Sequence, residues 1–451
     1  MTGPRRDRYL RPDHTYPLLP DGFSICDDPV AAGNYFVYRE GELIVQEEDL
    51  PWVWRLLPAM KVPEYSTTRS TAGQPLSLIS FPSSVDTVDV LRRLRAAEIR
   101  DDSHPAVTSD RGRVAKSRGQ ERPEEPGRNP PRVWFNHGVT LHSHVNYGGG
   151  PVPPRPRGPL SRLPTGHNLP GANVHVGVLD TGIDPQDWFR GRWTPVPGTT
   201  ENDVAELVGP GPGLRDQAGH GSFIAGTVLQ HAPGAEVVVD RLEESDGGIS
   251  DWHLHHRLAR LLDPVNQIDV LNLSFGGYTS DNLQMPGLGG MLAAALAANP
   301  DLVVVASAGN DGWDRPLWPA AQPGVVGVGA LDAAGEERWP DSNRGDWVDA
   351  WSTGDCLSST FVRPPRQLLP RRGDRESGPR RRAALGLRRQ RFHGWAVWSG
   401  TSFAAARVSG AIAAALKRDQ RDPRRVVFDL VRNAPRQFES GGVVEPATFV
   451  T

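Results

Sequence analysis

Val176–Asp184, VGVLDTGID, is the stretch on which the fold turns. An apolar run ends in a carboxylate, Asp180, and Thr181-Gly182 behind it suits a sharp turn. Similar short apolar runs recur at Val174–Leu179, Glu236–Asp240, Ile268–Ser274, Leu302–Ser307 and Val325–Ala330, each followed by a helical stretch. Val-rich runs between helices predict a parallel sheet covered on both faces. The fold class expected is therefore α/β, a doubly wound, mostly parallel sheet. Such sheets hold their sites at the carboxyl ends of the strands, so the polar residues that end these runs are the ones that matter.

Asp180 alone reads as a turn former. In Gly219–Gly226, GHGSFIAG, small residues flank His220, which alone reads as a helix cap. Ser399–Ala406, SGTSFAAA, runs into an Ala-rich helix. Ser402 then lies at a helix N-terminus, where free N–H groups and the dipole favour a developing oxyanion; alone it is a plain N-cap. In Val303–Gly312, VVVASAGNDG, Asn310 follows a strand, and its amide suits a second oxyanion donor, worth about 3–4 kcal/mol in the transition state. Taken together, a carboxylate, an imidazole and a hydroxyl supply an orienting group, a base and a nucleophile.

In the order Asp, His, Asn, Ser these segments resemble the subtilisin-like family, built around D-[ST]-G, H-G-[ST]-x-x-A-G, A-G-N and G-T-S-x-A-x-P. The matches are Asp180-Thr181-Gly182, His220 to Gly226, Ala308-Gly309-Asn310 and Gly400 to Ala405, and the likeness runs from about residue 166 to 435. The resemblance implies a serine endopeptidase acting through an acyl-enzyme on Ser402. His220 would be the general base, Asp180 its orienting partner, and Asn310 with the Ser402 N–H the oxyanion hole. It further implies that Ser274-Phe275-Gly276 pairs with an extended substrate and that Ala306-Ser307-Ala308 lines the specificity pocket. The family's closing Pro is replaced by Arg407, which permits helix and removes no proton-transfer group. No cofactor is expected; family members often bind calcium, but no loop here matches one residue by residue.

Ahead of this region the chain reads differently. Residues 1–33 are irregular, polar and Pro-rich. Residues 34–145 form a small α+β domain. It carries strands on both sides of a REGE turn (Tyr35–Val45), a short helix over Glu47–Leu57, a strand at Leu76–Phe81, an amphipathic helix at Asp86–Ala97 and a strand within Arg132–Leu141. It resembles the family's prodomain in placement. Residues 146–165 read as a Pro/Gly linker open to cleavage, 166–440 as the catalytic domain with an Arg-rich insertion at 363–391, and 441–451 as a tail.

The 451 residues carry a net charge of −3, which implies no bulk attraction to nucleic acid or membrane. The expected partner is a protein or peptide substrate, with no nucleic acid and no membrane, and the chain is expected to be a monomer. Cys26 and Cys356 cannot make a disulfide framework. The opening residues lack an apolar run of signal-peptide length, so a cytoplasmic location is expected. His253, His255 and His256 lack metal-ligand spacing and read as a solvated helix face, while His142 and His144 read as ordinary surface residues. Two rival readings use the same residues: a silent peptide-binding scaffold, and a protease confined to its own linker or one partner.

Overall fold

The computed structural model describes residues 22–27, 35–62, 64–96, 132–140, 152–199, 217–242, 248–363, 391–419, 422–434, 436–438 and 441–444. Its elements in chain order are β1 (Phe23–Asp27), β2 (Tyr35–Gln46), α1 (Leu50–Ala59), β3 (Ser66–Arg69), β4 (Leu76–Ser80), α2 (Thr87–Ala96), β5 (Val133–Thr140) and β6 (Arg155–Pro156). There follow β7 (His175–Asp180), β8 (Trp193–Pro195), α3 (His220–His231), β9 (Glu236–Arg241), β10 (Gly248–Ser250), α4 (Asp251–Leu261), β11 (Val270–Leu273), α5 (Pro286–Ala298) and β12 (Val303–Ser307). The chain ends with β13 (Val325–Leu331), β14 (Ala350–Thr353), β15 (Leu357–Thr360), β16 (Trp395–Trp398), α6 (Thr401–Asp419), α7 (Pro423–Val427), β17 (Gln437–Phe438) and β18 (Gly441–Val443). It divides into two compact units, one of residues 40–135, the other of the described residues of 1–39 and 136–451.

In the unit of residues 40–135, β4 is flanked by β2 and β3, both antiparallel to it, with Leu43 opposite Ile79 and Thr67 opposite the same residue. Leu43, Ile44, Val53, Leu57, Ile79 and Leu94 are fully buried. The apolar spacing of α2 accounts for its inward face, Val90, Leu91 and Leu94, with Arg92, Arg93 and Arg95 left outside. Arg132 closes the unit through Asp49 Oδ2, which accepts from both its backbone N (3.0 Å) and Nε (2.9 Å). The chain does not reverse at REGE. β2 runs straight through it, residues 35–39 pairing with β1 and 42–46 with β4, so each half has a partner and neither needs the other.

The large unit is built on a nine-stranded sheet of order β17-β18-β14-β13-β12-β11-β7-β9-β8. Every pairing is parallel except β17 with β18. On one face Val176, Val178, Val237, Val239, Val305 and Val328 share a core with Phe223 and Val228 of α3 and Phe403, Val408 and Ile412 of α6. Alternate residues, among them Leu179, Val238 and Leu271, are equally buried and turn to the opposite face, where α4 lies against β7 and β9. Burial on both faces is what the Val-rich runs required, each such side chain contributing about 1.5–3 kcal/mol. Gly441–Val443, read from the sequence as tail, is a strand of this sheet.

Residues 152–163, read as linker, are built into the large unit. β6 pairs with β16 in a three-stranded antiparallel sheet with β15, Leu163 enters the main core, and the Trp398 indole donates to the Val152 carbonyl (2.8 Å). Pro156 is tolerated because β6 is an edge strand. We refer to this segment as the strap. The insertion at 363–391 lies, apart from Arg363 and Arg391, outside the described residues.

Candidate active site

Three strands of the parallel sheet, β7, β11 and β12, end on the same edge. From β7 comes Asp180, fully buried. Its Oδ1 accepts from the Thr181 backbone N–H (2.8 Å) and lies 2.8 Å from His220 Nδ1. The turn behind it is stitched to the start of α3 by Thr181 Oγ1, which accepts from Gly221 N (2.9 Å), and Ser222 Oγ, which accepts from Asp184 N (2.8 Å). A Cβ on Gly221 would sit 2.1 Å from the Gly182 carbonyl oxygen, so the two segments meet only because that position is glycine. The His220 ring, 3% exposed, is framed by Trp398 (centroids 5.6 Å apart, planes at 90°) and Phe403 (5.4 Å).

Ser402 is the second residue of α6, and Arg407 continues that helix unbroken. Ser402 is tied to the residue after β11 twice over: Ser274 Oγ donates to the Ser402 carbonyl (3.0 Å), and Ser402 Oγ donates to the Ser274 carbonyl (3.3 Å). Ser274 Oγ in turn accepts from Asn272 Nδ2 (2.8 Å), whose Oδ1 accepts from Ser409 Oγ (3.0 Å). The serine hydroxyl therefore rests on a carbonyl rather than on the His220 ring.

Asn310, beyond β12, is 7% exposed. Its Oδ1 accepts from both the backbone N (2.9 Å) and Oγ1 (2.8 Å) of Thr401, while Thr401 Oγ1 accepts from Gly309 N (3.1 Å). With the oxygen committed, the amide nitrogen makes no hydrogen bond among the described residues. It lies near the start of α6, 3.6 Å from where a Gly400 Cβ would be. A free amide donor thus stands beside the first turn of a helix, whose own N–H groups lack intrahelical acceptors.

The other expected residues fall nearby with altered emphasis. Ser274 and Phe275 are buried, so the stretch Ser274–Gly276 has backbone, not side chains, to offer a ligand. Ala306 and Ser307 belong to β12 and Ala308 follows it, all three buried. Sequence reasoning missed Thr401 as the lock on the Asn310 amide, although GTS contains it. It also missed Tyr278 and Asn343, which bind the segment bearing Asn310 and carry no motif.

The histidines of α4 correct one expectation. His253 is exposed, but His255 is fully buried beside Trp252 (5.0 Å) and His256 (4.0 Å), because its position falls on the face that also buries Leu254 and Leu258. Burial pushes its pKa down to about 4, with His256 adding to the shift. On the same helix Asp251 is pushed up to about 6 by burial, against the N–H groups of Gly287 (2.8 Å) and Leu288 (2.7 Å) at the start of α5. His142 and His144 lie outside the described residues. Cys26 is buried and Cys356 exposed. No described helix is long and apolar enough to cross a membrane.

A family model described as the Subtilase family matches residues 171–441. Subtilisin BL of Lederbergia lenta is 30% identical over 256 residues, 52% of this chain and 85% of that protein. Subtilisin E of Bacillus subtilis (strain 168) is 29% identical over 208 residues, 42% of this chain and 49% of that protein, so the chain spans about half its length. Minor extracellular protease Epr of Bacillus subtilis (strain 168) is 27% identical over 244 residues, 49% of this chain and 33% of that protein. The last similarity corrects the expected cytoplasmic location. That expectation rested on a missing apolar run, which is no positive sign of a compartment, and a relative over nearly half the chain is extracellular.

Proposed function

Because the chain belongs to the Subtilase family, we propose that it is a serine endopeptidase that cuts protein substrates through an acyl-enzyme on Ser402, and that it works outside the cytoplasm. The observation that carries this is the buried contact between His220 Nδ1 and Asp180 Oδ1 at 2.8 Å. A carboxylate only accepts, so in the neutral ring Nδ1 carries the proton and Nε2 the lone pair, the tautomer a general base needs. Nε2 would take the Ser402 proton as Oγ attacks the scissile carbonyl, then return it to the leaving amine while Asp180 stabilises the imidazolium. The hydroxyl must first turn away from the Ser274 carbonyl. The unpaired amide of Asn310 and the Ser402 N–H would share the charge on the tetrahedral intermediate's oxygen.

Substrate would pair as an added strand through the backbone of Ser274–Gly276, beside Ala306–Ala308. The organisation that goes with this reading is a small α+β domain, residues 40–135, ahead of a catalytic domain that includes the strap. The test is labelling with a fluorophosphonate followed by peptide mapping, on the wild-type chain, Ser402→Ala and His220→Ala. Modification of Ser402 that depends on His220 is the expected result. A folded wild-type chain that takes up no label sinks the endopeptidase reading in favour of a silent peptide-binding scaffold.

A further inference from the structure

Asn343 lies beyond β13, and its side chain is fully buried against the segment that carries Asn310. Its entire hydrogen-bonding capacity is spent there. Nδ2 donates to the Ala308 carbonyl (2.8 Å) and to the Tyr278 phenol oxygen (2.9 Å). Oδ1 accepts from the backbone N–H groups of Asp311 (3.1 Å) and Trp313 (2.9 Å). The Asn343 backbone N–H adds a fifth bond, to the Gly309 carbonyl (2.9 Å). The partners sit on both sides of Asn310, at 308, 309, 311 and 313, and none is Asn310 itself.

The need for this arrangement follows from where β12 stops. Past the Ala308 N–H, which still donates to the Val328 carbonyl of β13 (2.8 Å), the chain leaves the sheet ladder within a buried region, and its polar backbone groups require other partners. An amide, with two donor hydrogens and a two-fold acceptor oxygen, is the side chain that can serve two acceptors and two N–H groups from one position. Tyr278 extends the bracket, donating its phenol hydrogen to Asp311 Oδ2 (2.8 Å). Burial, with Asp311 beside it, holds that phenol well above its ordinary pKa and keeps the hydrogen in place. The closure is tight: Gly309 has φ +101°, and a Cβ there would fall 2.5 Å from Asn343 Nδ2.

We propose that Asn343, with Tyr278 behind it, is a positioning residue that sets where the Asn310 amide stands in the oxyanion hole. The proposal rests on the reading of Asn310 given above. Thr401 fixes which way the Asn310 amide faces; Asn343 fixes where its backbone is. A donor displaced by about 1 Å can cost on the order of a hundredfold in rate, so a bracket that never touches substrate still acts on turnover.

The test uses the full chain, with kcat and KM measured on a chromogenic peptide anilide and folding checked by thermal melting. The variants are Ser402→Ala, Asn310→Ala, Asn343→Ala, Tyr278→Phe and each of the last two combined with Asn310→Ala. Asn310→Ala should lower kcat roughly 10²- to 10³-fold with KM little changed. Asn343→Ala should lower kcat roughly ten- to a hundredfold, also at unchanged KM, and Tyr278→Phe about fivefold. In the Asn310→Ala background both further losses should shrink to within about twofold, because the residue they position is gone. Losses that multiply independently, a change confined to KM, or a silent Asn343→Ala would each overturn the proposal. Should Asn343→Ala not fold, Tyr278→Phe and its combination with Asn310→Ala carry the same comparison. If Asn310→Ala leaves kcat intact while Ser402→Ala abolishes it, the oxyanion reading of Asn310 fails and this proposal with it. No turnover by the wild-type chain means that the endopeptidase reading itself has failed.

Discussion

Within residues 40–135 the buried polar side chains among the described residues are Ser77 and Thr87, and everything else in that interior is hydrocarbon. At the carboxyl edge of the nine-stranded sheet the interior also takes in Asp180, His220, Ser274, Asn310, Asn343, Thr401 and Ser402, each 7% exposed or less. Both regions are densely buried, but they are specified differently. An apolar interior needs volume and pattern, and it tolerates exchange of one hydrocarbon for another of similar size. A polar interior depends on how its donors and acceptors are matched, because each orphaned group costs its own desolvation, and removing one member unsettles its neighbours.

The sharpest way to break this contrast is Asp180→Asn. Its amide leaves the shape intact but can favour the wrong His220 tautomer, so fluorophosphonate labelling of Ser402 should fall roughly 10⁴-fold while the melting temperature barely moves. Labelling within tenfold of wild type would mean that the pair is structural only.

A second test lies on α4, where two buried titrating groups pull in opposite directions. Asp251 is raised to about 6 in the fold, so its contribution is full below pH 4 and is lost as pH rises through 6. His255 is lowered to about 4, so its contribution is full above pH 6.5 and is lost as pH falls through 4. Between pH 4 and 6 the two offset one another. Asp251→Asn should leave stability that climbs with pH, and His255→Gln stability that declines, each by about 3 kcal/mol across the window in chemical denaturation. Parallel pH curves for the two variants would dismiss the pairing.

Thr401→Val keeps the volume but deprives the Gly309 N–H of its acceptor and the Asn310 oxygen of one of its two donors, the Thr401 backbone N–H remaining. A loss of about 1–3 kcal/mol in stability is expected from thermal melting, with slower labelling of Ser402. The smallest effect belongs to the apolar region: Ile44→Val should cost about 0.5–1.5 kcal/mol, read as weakened amide-exchange protection in β2 and β4, with β11 to β13 unchanged. A larger loss from Ile44→Val than from Thr401→Val would invert the comparison.

The same contrast explains what could be read in advance. The strands β7, β9, β11, β12 and β13 fall within two residues of the apolar runs that predicted them, because burial on both faces writes a continuous Val-rich signature. By contrast β14 (AWST), β16 (WAVW) and β18 (GGV) are short, and their pairing is decided by distant strands, so no local period marks them. Within the candidate site, Asp180, His220, Asn310 and Ser402 stood out through their motifs. Tyr278 and Asn343 did not, because a side chain whose hydrogen-bond partners lie 30 to 65 residues away leaves no spacing to detect. His255 was misjudged because three histidines in a polar stretch look alike until the helix phase decides which of them turns inward.

The strap has a practical meaning for anyone shortening this protein. A chain started at residue 166, where the sequence suggests the catalytic portion opens, would lack one of the two strands paired with β16 and the acceptor of the Trp398 indole. Trp398 stands against His220 and is followed within four residues by Ser402, so the frayed strand would be the one that leads into Ser402. Trimming should stop at Val152, and the fourteen residues between those two choices separate a parallel-sheet domain that keeps its own scaffolding from one that has been cut out of it.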